Sequence, residues 1–365
     1  MINPFAKLQT RSQVLPSSQV MPFIITDGKI MPNNMVDGAA ALRNSDIFSL
    51  VNRISSDVAA CNFKVSEPFK NLLNRPNNLI SGFNFWQSVE AQLLLAGNAY
   101  VTITRDSSGV PNRLELIPVA EVTTTLADYA KDMEYTVLHD DERGTEKFKS
   151  ADMLHFRLLS VGDNSLQYIG MSPLESLVSD IQISDYSRKL TLAQLKQGLA
   201  PTYSLTVPEG ILDKEAKEAI RSSFEKANSG SNAGRAIVLD QGLQLNSLSI
   251  NADVAKFLNN MDFSKTQIAK AFGIPDSYLN GQGDQQSSID MTRSLYANSL
   301  QTYIKPIESE LYMKLGVPVN LDEASAIDVD NQQLIDNITK LSTGKSPVFS
   351  PSEATTILNA KGVFN

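Results

Sequence analysis

Ser172-Pro173-Leu174-Glu175-Ser176-Leu177-Val178-Ser179-Asp180-Ile181 divides the 365-residue chain into a part before and a part after one long helix. Serine stands at the cap, proline at the first helical position, and Glu175 can reach back to the cap amide. The helix is expected to continue to about Gln197, where Gly198 and Pro201 stop it. About 25 residues at 1.5 Å each make a rod of roughly 37 Å. Leu174, Leu177, Val178 and Ile181 define one apolar stripe, and Ile183, Tyr186, Leu190 and Ala193 define another. A helix apolar on two sides needs neighbours on both.

Downstream lies a compact insert of β-α-β-β order. Thr202 to Val207 reads as a strand and Lys214 to Ala227 as a helix with Ala216, Ile220, Phe224 and Ala227 inward. The polar stretch Asn228 to Gly234 is a loop, and Arg235–Asp240 with Leu243–Leu248 reads as a hairpin around Gln241-Gly242. About fifty residues bury little core alone. A return helix from about Ala252 to Phe272 carries Val254, Phe257, Leu258, Met261, Ile268 and Phe272, and Gly273 and Pro275 end it. Residues 274–288, rich in Gly, Pro and amides, read as irregular. A further helix from about Ile289 to Leu315 has Ile289, Tyr296, Tyr303, Ile307 and Leu311 on its stripe. Pro306 inside it predicts a kink near Tyr303. Leu321 to Asp330 is an acidic linker, followed by short helices over Asn331–Leu341 and from a Ser350 cap to near Gly362.

Upstream, Ile47, Val51, Ile54 and Val58 mark an amphipathic helix behind a Ser45 or Asp46 cap. A second helix, Asn84 to Ala96, places Trp86, Val89 and Leu93 on one stripe and breaks at Gly97-Asn98. Tyr100–Arg105 and Arg113–Ile117 form a hairpin around the turn Asp106–Gly109, with further strands at Glu121–Thr125, Glu134–Leu138 and Met153–Arg157. Residues 46–172 thus read as one α+β domain in which helices precede a mainly antiparallel sheet. Residues 1–45, with four prolines and no sustained period, read as an extended arm, so the folded region is expected to start near Ser45.

Composition narrows function by exclusion. No apolar run approaches the ~18 residues of a membrane helix, and the start lacks the order of a signal peptide, so secretion and membrane spanning are not expected. The single cysteine, Cys61, and the two histidines, His139 and His155, cannot complete a Cys/His zinc site, and no metal or other cofactor is expected. A formal charge of −8 argues against a protein that grips nucleic acid through many phosphates. Asn280-Gly-Gln-Gly-Asp284 follows a helix rather than a strand and lacks the full glycine fingerprint of a phosphate loop. Gly170-Met-Ser-Pro lacks the second glycine of a nucleophile elbow, and Ser172 is explained as a cap. His155 on a strand reads as structural, His139 and the pair Asp140 and Asp141 lie in a turn, and Asp322-Glu323 lie in the linker. No enzyme chemistry emerges.

The collinear order of motifs resembles the portal proteins of long-tailed bacteriophages. The matching text includes Val51-Asn-Arg-Ile54 with Ala59-Ala60, Leu72-Leu-Asn-Arg-Pro-Asn77, Phe85-Trp86 and Leu93-Leu-Leu-Ala-Gly-Asn-Ala-Tyr100. It continues through Asp152-Met-Leu-His-Phe-Arg157, Gly170-Met-Ser-Pro-Leu-Glu175, Phe257-Leu258 and Ile268-Ala-Lys-Ala-Phe-Gly-Ile-Pro275. The resemblance covers roughly 45–316.

That resemblance implies an α+β portal fold: an N-terminal arm (1–45), an α/β wing (46–172), a stem of two helices (173–199 and 251–273), a small α/β clip (200–250), a tunnel loop (274–288), a kinked wing helix (289–318) and a short helical crown (319–365). It further implies a twelve-fold ring at one capsid vertex, assembled in the cytoplasm of a bacterial host. Double-stranded DNA would pass through it during packaging and ejection. The large terminase subunit, the head-tail adaptor and the major capsid protein would be its partners. Under this reading Tyr278, Leu279, Asn280, Gly281, Gln282, Gly283, Asp284, Gln285 and Gln286 form the loop that meets DNA. Lys265 and Lys270 are candidate backbone contacts, and Lys214, Lys217, Arg221 and Lys226 a candidate terminase or adaptor face. Twelve copies would carry about −96 in formal charge, which lets phosphates slide rather than stick. The rival readings are another ring-forming tail or secretion-channel assembly protein, and then an enzyme of unknown class.

Overall fold

The computed structural model describes residues 13–14, 23–26, 29–32, 41–127, 131–162, 167–198, 203–206, 213–227, 244–247, 265–275, 289–328, 331–343, 347–360 and 363. The chain divides into two units, Met1–Val178 with Ile268–Asn365, and Ser179–Gln267.

In the first unit β1 (Gln13–Val14) and the paired strands β2 (Phe23–Thr26) and β3 (Lys29–Pro32) come from the arm. The expectation that folding starts near Ser45 is therefore corrected. The sequence signal was Asp27-Gly28 between two apolar runs, a two-residue hairpin signature that outweighs the scattered prolines. Helix α1 (Ser45–Ala59) is capped by Asn44 rather than by Ser45 or Asp46, because the Asn44 carboxamide oxygen accepts from the amides of Asp46 and Ile47. Its buried face is Ile47, Leu50, Val51, Ile54 and Val58.

A short strand, β4 (Asn62–Lys64), and helix α2 (Phe69–Asn74) precede α3 (Gly82–Ala96). Helix α3 starts two residues before the expected Asn84 because Ser81 caps it, Oγ accepting from the Asn84 amide at 3.2 Å. It ends at Gly97 with φ +72°, and a Cβ there would stand 2.5 Å from the Met171 backbone. No side chain fits that crossing. Trp86 donates its indole N–H to the Leu73 carbonyl at 2.8 Å and packs on Phe63 and Phe85.

Strands β5 (Asn98–Arg105) and β6 (Pro111–Ile117) form the expected hairpin, with Asp106 accepting from the amides of Ser108 and Val110 at its turn. Then follow β7 (Val122–Ala127), β8 (Asp132–Leu138), β9 (Thr145–Lys149) and β10 (Met153–Arg157). The single expected sheet is two antiparallel sheets, ordered β1-β7-β8-β9 and β10-β5-β6. The 3-10 turn Val119–Glu121 after Pro118 breaks the path between β6 and β7 and sends β7 to the second sheet. Tyr100, Ile117, Val122, Tyr135, Val137 and Met153, drawn from both sheets, make one core.

Ser172 caps as the sequence implied: its Oγ accepts from the Leu174 amide, its own amide donates to Glu175, and its hydroxyl donates to the Leu94 carbonyl at 2.7 Å. The first turn, Pro173–Leu177, is 3-10, and α4 (Val178–Gly198) follows.

In the second unit β11 (Tyr203–Thr206), α5 (Lys214–Ala227) and β12 (Gln244–Ser247) follow α4, and β11 pairs antiparallel with β12 in the register Leu205↔Leu245. The expected strand Arg235–Asp240 lies outside the described residues, as does most of the expected return helix; 265–271 is helical, is numbered α6 and contains the boundary between the units after Gln267.

Back in the first unit, α7 (Ile289–Leu315) runs as one helix through Pro306. The acidic linker is corrected next: β13 (Asn320–Asp322) pairs with β4, and α8 (Ala324–Ile327) follows. Leu321, buried beside Phe63, supplies the apolar anchor that a linker would lack. Helices α9 (Gln332–Ser342) and α10 (Pro351–Ala360) pack Ile338 on Ala354 and Leu358 in a small separate core.

Candidate functional site

Tyr278, Leu279, Asn280, Gly281, Gln282, Gly283, Asp284, Gln285 and Gln286 lie outside the described residues. Their two flanks are described, and both belong to the first unit. On the N-terminal side α6 ends with the Ile274 amide on the Ala269 carbonyl and the Gly273 amide on Lys270, with Gly273 at φ +64°. This is the Schellman arrangement, closed by buried Ile274 and Ala269 and followed by Pro275. A Cβ on Gly273 would meet nothing, so backbone conformation rather than space requires glycine there. On the C-terminal side, Tyr303 of α7 donates its hydroxyl to the Phe272 carbonyl at 2.5 Å. That bond ties the two flanks together. Of the two candidate phosphate contacts, Lys270 is exposed and Lys265 half-buried.

Helix α7 is held by polar clasps along its length. Tyr296 donates to the Asp57 carboxylate at 2.5 Å, Glu308 accepts from the Leu321 amide at 2.7 Å, and Glu310 accepts from the His155 amide at 3.0 Å. Lys314 donates to the Ser150 carbonyl at 2.6 Å. Burial raises the pKa of Asp57 and of Glu310, against the opposing pull of Tyr296 and Arg53 on the first and of the His155 amide and Lys314 on the second. Burial lowers Lys314. His155 is fully enclosed, within hydrogen-bond distance of Tyr135, Asn98 and Arg157, and burial followed by the Arg157 and Lys314 charges keeps it neutral. It is structural, as its strand position implied. His139, read as part of a charged turn, lies just after β8 and is buried, 3.2 Å from Glu146.

These clasps were not among the expected site residues. Their signal was present: Tyr296, Tyr303 and Glu310 recur every seven residues and so share one helix face with the apolar stripe.

In the second unit Lys214, Lys217, Arg221 and Lys226 are exposed on α5, opposite the less exposed Ala216, Ile220 and Phe224. Asp213 caps the helix through the Ala216 amide. The face is mixed rather than purely basic, since Arg221 pairs with Glu218 and Glu215 is also exposed. On α4 the two stripes separate. Leu174, Leu177 and Ile181 are buried, whereas Ile183 and Tyr186 are 56% and 71% exposed. Lys189 lies over the Tyr186 ring. Leu192, about three turns beyond Ile181 on the first stripe, is also exposed.

Among the described residues no cluster of His, Cys, Asp and Glu could hold a metal ion, and no helix is long and apolar enough to cross a membrane.

The phage portal protein family model matches residues 45–359. The portal protein of Enterobacteria phage HK97 is 21% identical over 278 residues, 71% of this chain and 62% of that protein. The chain spans between about half and two thirds of the length of the curated relatives it matches. Among solved structures, a chain from the neck of a native gene transfer agent particle computed with C12 symmetry aligns with TM-score 0.64 at 20% identity, over 88% of this chain and 93% of that one. The crystal structure of an HK97 family phage portal protein from Corynebacterium diphtheriae aligns with TM-score 0.54 at 15% identity, over 80% and 96%. With the match running from α1 through α10, the chain belongs to the phage portal protein family.

Proposed function

We propose that this chain is the subunit of a twelve-membered ring, the portal at one capsid vertex, and that it works as a structural conduit rather than an enzyme. The observation that carries this reading is the fold shared with a chain from the gene transfer agent neck, a neck computed with C12 symmetry in the native particle and with C6 symmetry in the empty one. The exposure of Ile183 and Tyr186 on α4 supports it, because each copy in a closed heterologous ring packs against two neighbours. In this reading 46–172 and 289–318 form the wing, 173–199 and 251–273 the stem, 200–250 the clip and 319–365 the crown. Residues Tyr278–Gln286 of the tunnel loop meet DNA, with Gly281 and Gly283 supplying backbone freedom and Gln282, Gln285 and Gln286 offering uncharged hydrogen bonds to phosphates. The Tyr303 bond to Phe272 anchors the residues just before that loop to α7. The β11-β12 sheet is completed by strands of adjacent copies, and α5 is presented to the large terminase subunit and then to the head-tail adaptor. The ring sits among copies of the major capsid protein, assembled in the host cytoplasm.

Negative-stain images viewed down the particle axis test the ring, and a rotational average with twelve subunits is expected. Deleting Leu279–Gln286 tests the loop: rings form and DNA packaging or retention fails. Genome-filled heads at the normal level from that deletion would remove DNA contact from this loop.

A further inference from the structure

Between α2 and α3 the chain holds apolar side chains in solvent on a stiff frame. Leu79 is 80% exposed, and Ile80 and Phe83 are each 44% exposed. The frame is built from polar contacts. Asn77 Oδ1 accepts from the Leu79 and Ile80 amides at 2.9 and 3.2 Å, and Asn77 Nδ2 donates to the Leu114 carbonyl at 3.2 Å. The Leu114 amide in turn donates to the Pro76 carbonyl at 2.8 Å. Ser81 caps α3, and a Cβ on Gly82 would overlap the Asn74 carbonyl oxygen, so the loop sits tight against the end of α2. Leu79 and Ile80 also line an open cavity of about 470 Å³, together with Arg75 and Asn78. A surface ordered in advance loses little entropy on association.

We propose that this surface of the first unit is a contact between neighbouring copies in the ring: Leu79, Ile80 and Phe83 pack on a second copy of this chain, and Lys70 and Arg75 face its acidic surface. The inference rests on the ring reading and adds to α4 a second place where copies meet. Two observations select a second copy as the occupant. The first is area. Among the described residues α4 exposes three large apolar side chains, Ile183, Tyr186 and Leu192, a small part of the ~800 Å² that a stable interface buries on each partner, so a ring contact needs further surface. The second is charge. Residues 68–89 hold two exposed cations, Lys70 and Arg75, and no exposed acid, whereas the whole chain carries −8. A basic, apolar surface on an acidic chain is complementary to other copies of that chain.

The purified full-length chain is the sample for the test, so only further copies can cover the surface. Its one native cysteine, Cys61, is buried with its thiol pushed up to about 12, which leaves a silent background for maleimide labelling. In rings of Leu79→Cys the introduced thiol is expected to react at least about tenfold more slowly than in a peptide of residues 77–83 with the same substitution. In subunits separated by Ile183→Asp with Tyr186→Asp it should react within about threefold of that peptide. Leu79→Asp with Ile80→Asp should abolish rings in native mass measurement, while its urea unfolding constant matches that of the Ile183→Asp, Tyr186→Asp subunits within about twofold. Three results overturn this inference and leave the ring reading standing: rings whose introduced thiol reacts at the peptide rate, a thiol equally slow in separated subunits, or rings at wild-type yield from Leu79→Asp with Ile80→Asp. A wild type that forms no ring overturns both. If Leu79→Asp with Ile80→Asp does not fold, the labelling decides.

Discussion

Helix α3 and helix α4 differ in what covers them. Phe85, Trp86, Val89, Leu93 and Leu94 of α3 are closed in by α1, β5 and the aromatic cluster, so its apolar residues find partners inside one chain. Helix α4 buries Ile181 but leaves Ile183, Tyr186 and Leu192 bare. The first helix is finished by its own fold, and in the proposed ring the second is covered by a neighbouring copy, so the same kind of substitution should have opposite consequences in the two places.

Leu93→Ala is the sharpest way to expose the difference. Leu93 is fully buried, and truncating it should cost about 2–5 kcal/mol of stability in urea unfolding, whereas Ile183→Ala should change subunit stability by less than about 0.5 kcal/mol and weaken association instead. Equal stability losses would place α4 in a core of its own chain.

Acid should act on the first unit next. His155 is held neutral with a pKa well below 6.5, so the unfolded chain takes up a proton that the folded chain refuses, and stability falls as pH drops below about 6.5, by at most about 1.4 kcal/mol per pH unit. His155→Gln should flatten that limb of the pH profile. Tyr303→Phe removes the bond to Phe272 and should cost about 1 kcal/mol, with faster amide exchange at 268–275 as the local sign. The smallest effect on stability is expected on α5. Lys217→Glu with Arg221→Glu should leave folding within about 0.5 kcal/mol while weakening terminase binding and reducing its salt sensitivity. Unchanged binding would assign those side chains to a merely solvated face.

How much was legible in the sequence followed how local the deciding physics was. The capping box at Ser172, the break at Gly97 and the strand Met153–Arg157 are set by neighbours in sequence, and they stand where the sequence put them. The division into two sheets and the pairing of β13 with β4 depend on residues far apart in the chain, and periodicity carries no trace of such partners. The clasps on α7 fall between these cases. Their seven-residue spacing was visible, but Asp57 lies 239 residues from Tyr296, and nothing local names it as the partner. The Asp27-Gly28 hairpin was legible and was hidden only by the prolines around it. For the candidate site the sequence placed Lys214, Lys217, Arg221 and Lys226 on one helix, while the pairing of Arg221 with Glu218 depended on side-chain geometry.

The central claim is that the bare face of α4 belongs against another copy of this chain. Native mass measurement of the purified full-length protein, at high concentration and over a range of salt, tests it most directly. The account predicts a closed assembly with the mass of twelve chains, which Ile183→Asp with Tyr186→Asp converts to subunits that keep the wild-type circular dichroism and melting behaviour of the first unit. A stable monomer from the wild-type chain under all of these conditions would contradict it.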